Sequence, residues 1–422
     1  MQADKASRGS AVSDADRPYH LLVKPAGAAC NLGCQYCFFL SKEKLYPERE
    51  SPLMDEEMLE RYVRQLISSA AGPQVEIAWQ GGEPTLRGLD FFKRSVALAE
   101  HCRKPDQHIL HTLQTNGTLI DDEWASFLKK NSYLVGLSID GPRAMHDAYR
   151  VDKQGRGSFD SVIRAWQCLR RHDVDVNVMC TVHAANADYP LEVYRFFRDE
   201  LGAQFIQFIP IVERATAETI AVANQGWGGR TGADRPLYRQ EGELVTERSV
   251  KSGQFGLFLT SIFDEWITRD VGTIFVNTFD VALGSWVGQH NSCIVSPTCG
   301  GSLAMEHGGD VYSCDHFVEP DYYLGNIRDT PLGSLARSDK QRKFGAAKYE
   351  TLPKYCRECP VLFACYGECP RNRFIRTPDG EEGLNYLCAG YREFFLHIAR
   401  PMQRMAELLN QGRFADEIMQ EL

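Results

Sequence analysis

Residues 30–37 read Cys-Asn-Leu-Gly-Cys-Gln-Tyr-Cys and place thiols at Cys30, Cys34 and Cys37. Three thiolates this close can share one metal centre, and thiolates suit zinc and iron–sulfur clusters alike. The count is more telling than the ligand type. A structural zinc or a fully ligated [4Fe–4S] cluster takes four ligands, and the local supply stops at three. One iron of a cubane held this way keeps an open position, where a small molecule can bind and be activated. The other reading is a zinc knuckle whose fourth ligand lies elsewhere in the chain.

Outward from this loop, the first half of the chain alternates two patterns. His20–Lys24 reads as a strand ending just before the thiols. Residues 54–70 carry Leu59, Tyr62, Val63, Leu66 and Ile67 at helical spacing, with Asp55 and Glu56 in the first turn. The pattern predicts further strands over 75–79, 108–114, 134–139, 174–182 and 205–211, with helices over 91–102, 121–130, 159–172 and 191–201. Six strands alternating with helices imply a parallel sheet with right-handed crossovers. Ligands of such sheets gather at the carboxyl ends of the strands.

Polar, glycine-bearing turns lie at those ends. Trp79-Gln80-Gly81-Gly82-Glu83-Pro84 follows the second strand and Gln114-Thr-Asn-Gly117 the third. Ser138-Ile-Asp-Gly-Pro142 follows the fourth, with His146 and Arg150 shortly after. Paired glycines let backbone approach a ligand closely, and Pro84 stiffens the exit. Singly, each is ordinary turn chemistry. Their recurrence at successive strand ends points to a built site.

The cysteine spacing and these turns resemble the radical S-adenosylmethionine (SAM) superfamily. The resemblance implies a partial (β/α)6 barrel, in agreement with the strand count. It implies a [4Fe–4S] cluster on Cys30, Cys34 and Cys37, whose open iron chelates SAM, and reductive cleavage of SAM to a 5′-deoxyadenosyl radical. Tyr36, Gln80, Gly81, Gly82, Glu83, Ser138 and Arg150 match cofactor-binding positions, and Ile206 a position packed near the adenine. Arginine is apt for a carboxylate, being a planar and permanently charged fork.

Residues 213–247 include Gln225-Gly-Trp-Gly-Gly-Arg230 with little periodicity, and are expected to form a long functional or mobile loop. Residues 255–266 read as a helix, and apolar 275–287 is expected to pack the two halves together. Beyond Gln289 eight cysteines appear: Cys293, Cys299, Cys314, Cys356, Cys359, Cys365, Cys369 and Cys388. They suffice for two four-cysteine sites, of zinc or of iron and sulfide. Cys102, Cys168 and Cys180 are read as ordinary buried thiols. The run Cys356-x2-Cys359-x5-Cys365-x3-Cys369, followed by Cys388, resembles the SPASM domain, an auxiliary-cluster module; Cys299, Gly309 and Cys314 match its upstream part. The resemblance implies one auxiliary cluster on Cys293, Cys299, Cys314 and Cys369 and another on Cys356, Cys359, Cys365 and Cys388, three [4Fe–4S] clusters in all.

From about Tyr19 to Phe395 the chain is similar to the anaerobic sulfatase-maturating enzymes, through Phe38-Phe39-Leu40, Lys42-Glu-Lys-Leu-Tyr46, His146-Asp-Ala-Tyr-Arg150 and Cys314-Asp315. This implies oxidation of a Cys or Ser of an unfolded sulfatase polypeptide to Cα-formylglycine. The radical would take hydrogen from Cβ, Asp315 would act as general base, and an auxiliary cluster would receive the remaining electron. His316 is read as structural. The implied reductant is a flavodoxin- or ferredoxin-type protein. Two other readings stand beside this one: a SPASM maturase forming a thioether or crosslink in another peptide, and a non-catalytic iron–sulfur electron carrier. The open coordination at the first site argues against a carrier.

The 422 residues suggest a disordered tail over 1–17, a radical SAM barrel over 18–240 and a helical connection over 241–288. A SPASM domain over 289–392 and a helical tail over 393–422 complete the expected division. The net charge of −9 gives no support to a nucleic-acid surface. No apolar run suits a signal peptide or a membrane span. The expectation is a cytoplasmic monomer without nucleic-acid or membrane partners.

Overall fold

The computed structural model describes residues 18–46, 53–227 and 237–422. The tail expected over 1–17 lies outside the described residues. Six strands run parallel in sequence order: β1 (His20–Val23), β2 (Gln74–Trp79), β3 (His108–Thr115), β4 (Tyr133–Ser138), β5 (Asp175–Val182) and β6 (Phe205–Pro210). Between them lie α1 (Glu56–Ser69), α2 (Leu89–Cys102), α3 (Asp122–Lys130), α4 (Arg143–Asp147), α5 (Phe159–Arg171) and, before β6, α6 (Pro190–Arg195). Asp55 and Asp121 cap α1 and α3 by accepting from Met58 N and Trp124 N. The short α4 carries His146 and was not foreseen, since five residues are too few to show a period.

Period-two alternation sorts each strand between two environments. On β2, Val75, Ile77 and Trp79 belong to the main core, where Trp79 meets Tyr62 of α1 and Phe91 of α2 edge-on. Glu76, Ala78 and Gln80 line an interior cavity instead.

The sheet does not stop at six strands. Phe275–Val276 adds parallel to β6, and Asn277–Trp286 then forms the helix that packs the halves together. At the other edge Ser302–Met305 pairs parallel with β1, in register His20↔Ser302 through Val23↔Met305. Asp310–Tyr312 and Tyr323–Asn326 continue that edge antiparallel. The cysteine-rich region therefore joins the barrel sheet, and Cys299 and Cys314 flank the segment laid against β1.

The stretch read as a long loop is partly ordered. Arg214–Ala215 pairs with Leu244–Val245, and Ile220–Asn224 is helical. Trp227 and Tyr238 are buried, and buried Glu213 accepts from Trp227 Nε1, Thr246 Oγ1 and Arg248. Residues 228–236 of that stretch lie outside the described residues. Among the described residues, no helix is long and apolar enough to cross a membrane.

Candidate active site

The cysteine loop leaves β1 and is buttressed by the turn after β2. Gly82 N donates to Gly27 O at 2.9 Å and Glu83 N to Ala29 O at 2.8 Å. A Cβ at Gly82 would stand 2.0 Å from Ala29 O, and Gly81, at φ 126°, would put one 2.9 Å from Lys24 Cβ. The close approach that these glycines permit is to the cysteine loop's own backbone. Glu83 is fully buried. Its carboxylate accepts from Thr85 N, Thr85 Oγ1, Thr115 Oγ1 and Asn116 N at 3.0, 2.6, 2.7 and 2.8 Å. It therefore ties the β2 turn to the β3 turn, with both oxygens engaged inside the protein.

Beside the loop, Asp140 follows β4 and is fully buried. It accepts from Tyr36 Oη at 2.6 Å, from Arg150 Nε and Nη2 at 2.7 and 3.1 Å, and from Thr181 N at 2.8 Å. Burial pushes its carboxyl up, but Arg150 and then His183 outweigh burial and hold it well below the usual aspartate range. His146 sits behind, its Nδ1 accepting from Asp140 N and its Nε2 against Ser158 Oγ. Arg150 thus spends most of its fork on Asp140. Its Nη1 has no protein hydrogen bond among the described residues. Leu32, Cys34, Tyr36 and Ile211 form a small buried cluster, with Cys30, Cys37 and Tyr149 packed on it.

That cluster corrects one residue. Ile206 lies mid-strand and points into the main core with the helices, whereas its neighbour Gln207 lines the interior cavity. The aliphatic residue beside the cysteine loop is Ile211, just past the end of β6. The signal was position: ligand-facing residues of a parallel sheet collect at carboxyl ends.

The cavity has a volume of about 470 Å³ and is partly open. Its wall includes Gln80 and Gln114 from the strand ends, Asp315 and His316, and all four of Cys293, Cys299, Cys314 and Cys369. Ser138 Oγ accepts from Gln114 Nε2 at 3.0 Å. Asp315 is largely buried, ion-paired through Oδ1 to Lys24 Nζ, with Gln80 Nε2 3.4 Å from Oδ2. Lys24 itself is 1% exposed and lies 4.1 Å from the Phe39 ring centroid. Burial pushes the Asp315 carboxyl up, but Lys24 foremost overcomes this and leaves it below the ordinary aspartate value. Sequence reasoning passed over Lys24 because a lysine ending a strand normally reads as a solvated charge. His316 contacts the first auxiliary group, with Nδ1 3.6 Å from Cys369 Sγ.

The other four cysteines, Cys356, Cys359, Cys365 and Cys388, line a second, smaller and apolar cavity with Leu362 and Tyr391. The structure thus gathers the eleven cysteines in groups of three, four and four. Tetrahedral zinc with Zn–S bonds of 2.3 Å needs sulfurs about 3.8 Å apart. Among the described residues, no three of these cysteines bring their sulfurs within 4.8 Å of one another.

Residues 25–197 match the Radical SAM superfamily, and residues 297–360 match SPASM, an iron-sulfur cluster-binding domain. A serine-type anaerobic sulfatase-maturating enzyme of Bacteroides thetaiotaomicron is 46% identical over 397 residues, covering 94% of this chain and 93% of that one. This chain belongs to the anaerobic sulfatase-maturating enzymes. A cysteine-type anaerobic sulfatase-maturating enzyme of Clostridium perfringens is 33% identical over 381 residues, covering 90% of this chain and 95% of that one. The solved structure of native anSMEcpe with bound AdoMet matches with a TM-score of 0.79 at 32% identity, covering 92% of this chain and all of that one. As a radical SAM and SPASM member of the sulfatase-maturating family, this enzyme has [4Fe–4S] clusters and SAM as its cofactors.

Proposed function

We propose that this maturase oxidises a Cys or Ser of a sulfatase polypeptide to Cα-formylglycine, with Asp315 as the general base. The observation that carries the reading is the shared cavity. Asp315, Gln80 and one complete group of four cysteines face the same cavity. When bound, SAM and a cluster with one open iron supply the radical that takes hydrogen from the target Cβ. Cys30, Cys34 and Cys37 would ligate that cluster, and Cys293, Cys299, Cys314, Cys369 and Cys356, Cys359, Cys365, Cys388 the two auxiliary ones.

The chain's own part is positioning and proton transfer. Tyr36, Gln80, Gly81, Gly82, Ser138 and the free edge of Arg150 form the proposed SAM side of the site. Glu83 acts there by fixing the turn. Asp315 accepts the proton of the thiol or hydroxyl, and its pairing with Lys24 holds the carboxylate charged and aimed. Water completes the cysteine case by hydrolysing the thioaldehyde. A peptide with bound AdoMet has been solved in anSMEcpe, at a TM-score of 0.77 to this chain, which supports a peptide substrate here.

The remaining parts of the proposal are a flavodoxin- or ferredoxin-type donor, a monomeric state, a cytoplasmic location and the division at 18–240, 241–288, 289–392 and 393–422. The test uses reconstituted enzyme, SAM, reductant and a sulfatase-derived peptide carrying Cys or Ser in Cys/Ser-x-Pro/Ala-x-Arg. Mass spectrometry should show the formylglycine mass with at least one peptide. Stoichiometric 5′-deoxyadenosine with neither peptide changed would contradict the substrate assignment.

A further inference from the structure

Lys348 lies in the helix Asp339–Glu350, with its side chain 1% exposed. Its ammonium donates to the backbone carbonyls of Cys293 and Ile294. Among the described residues no carboxylate lies within 4.0 Å of it. A lysine is almost never fully buried without an anionic partner, because an uncompensated charge in the interior is strongly unfavourable. Buried Glu368 is the foremost negative charge acting on this ammonium, ahead of the Cys293 and Cys299 thiols, and it also acts on Arg373, so two cations share one carboxylate and a positive charge is left over beside the thiols.

A second cation continues the arrangement. Arg373 donates to the carbonyls of Lys348, Tyr366, Gly367 and Glu368 at 2.5, 2.6, 2.9 and 3.1 Å. Tyr366, Gly367 and Glu368 are all left-handed, at φ 45°, 67° and 52°. Two of the three bear side chains, so the turn is strained, and convergence of its carbonyls on one guanidinium offsets that cost. This loop begins at Cys365 and ends at Cys369, one proposed ligand from each auxiliary group.

We propose that Lys348 is the counter-charge of the cluster on Cys293, Cys299, Cys314 and Cys369, and that with Arg373 it raises that cluster's reduction potential so that it accepts the substrate's electron. The proposal rests on the sulfatase-maturation reading and that ligand set. In the step concerned, the substrate has lost a hydrogen atom from Cβ and a proton to Asp315. It then gives up one electron, its carbon–heteroatom single bond becomes double, and the cluster is reduced by one. Reduction adds negative charge to a thiolate-ligated cluster, so a fixed positive charge beside it favours the reduced form.

The experiment is a redox titration of reconstituted protein followed by electron paramagnetic resonance. Lys348→Met removes the charge at similar length, and Lys348→Arg keeps it. The expected result is a shift of one auxiliary midpoint to more negative potential in Lys348→Met, with the SAM-binding cluster unmoved and the shift absent from Lys348→Arg. Loss of the cluster from Lys348→Met with its retention in Lys348→Arg would also support a required charge. An unchanged midpoint in Lys348→Met with every cluster present would overturn the proposal. So would loss of the cluster from both variants, since shape and not charge would then matter. Wild-type protein lacking auxiliary signals altogether would instead sink the ligand assignment on which the proposal rests.

Discussion

The three cysteines of residues 30–37 sit in a frame of polar side chains supplied by the barrel, whereas the eight beyond residue 289 are framed largely by one another, by backbone and by buried cations. Around the first group, Glu83 binds two turns together, Asp140 gathers Tyr36 and Arg150, and Asn116 Nδ2 lies 3.7 Å from Cys30 Sγ. That frame is complete without metal. Around Cys356 and Cys388 a small apolar cluster centres on Leu352, Cys356 and Leu384, while Cys359 and Cys365 pack against the edge of the main core. The contrast follows from coordination. A site that must leave one iron open cannot use that metal to close the fold, so the strands do it. A fully ligated site can serve as its own core.

The largest expected effect breaks or confirms this contrast directly. Cys34→Ala should abolish SAM cleavage yet leave the barrel's thermal unfolding near that of the parent. Cys365→Ala should make the region 289–392 readily cleaved by protease. Similar protease sensitivity in the two variants would erase the distinction.

The Asp140–Arg150 pair sharpens it. Breaking a buried ion pair by deleting one partner costs about 3–5 kcal/mol. Arg150→Ala should therefore lose stability of that order in denaturant unfolding, besides any loss of SAM affinity. A variant of parental stability would show that the frame around the first site is dispensable.

Lys24→Met should slow formylglycine formation on the order of 10²-fold, the cost of misplacing a catalytic group by about 1 Å. Cluster content and SAM cleavage should persist. Combined with Asp315→Asn it should add little, because both act at one carboxylate; additive losses would place Lys24 in a separate role.

The smallest effect is on pH dependence. Burial lowers His111 to about 4 and His146 to about 3, so both stay neutral in the fold. Unfolded histidine takes up a proton near pH 6.5. Below that pH the unfolded chain binds more protons, so these two contribute stability that is complete above pH 6.5 and declines towards pH 4. The melting temperature should fall between pH 7 and 5, less steeply in His111→Phe. An equal slope in that variant would assign the acid sensitivity elsewhere.

The six parallel strands and their polar ends were legible because alternation and helical periodicity are local signals. Ser302–Met305 was not, since four residues carry no period and their pairing with β1 spans about 280 positions. Asp315 was reached through resemblance, but Lys24 only through the structure, because charge at the end of a short strand gives no sign of burial. Ile206 shows a different limit. A strand's two faces differ by a single residue, so naming an aliphatic in β6 without knowing which side faces the barrel selects the wrong environment half the time. Glu83 and Gly82 were visible as special residues, while what they touch was not.

The most direct test of the account is Asp315→Asn with a peptide deuterated at the target Cβ. The substitution keeps size and shape but cannot accept the substrate's proton as a base. If Asp315 is the general base, all clusters stay in place and deuterium still passes into 5′-deoxyadenosine. Formylglycine formation then falls by on the order of 10²–10⁴-fold. Formylglycine at the parental rate would contradict the assignment of Asp315 as the base.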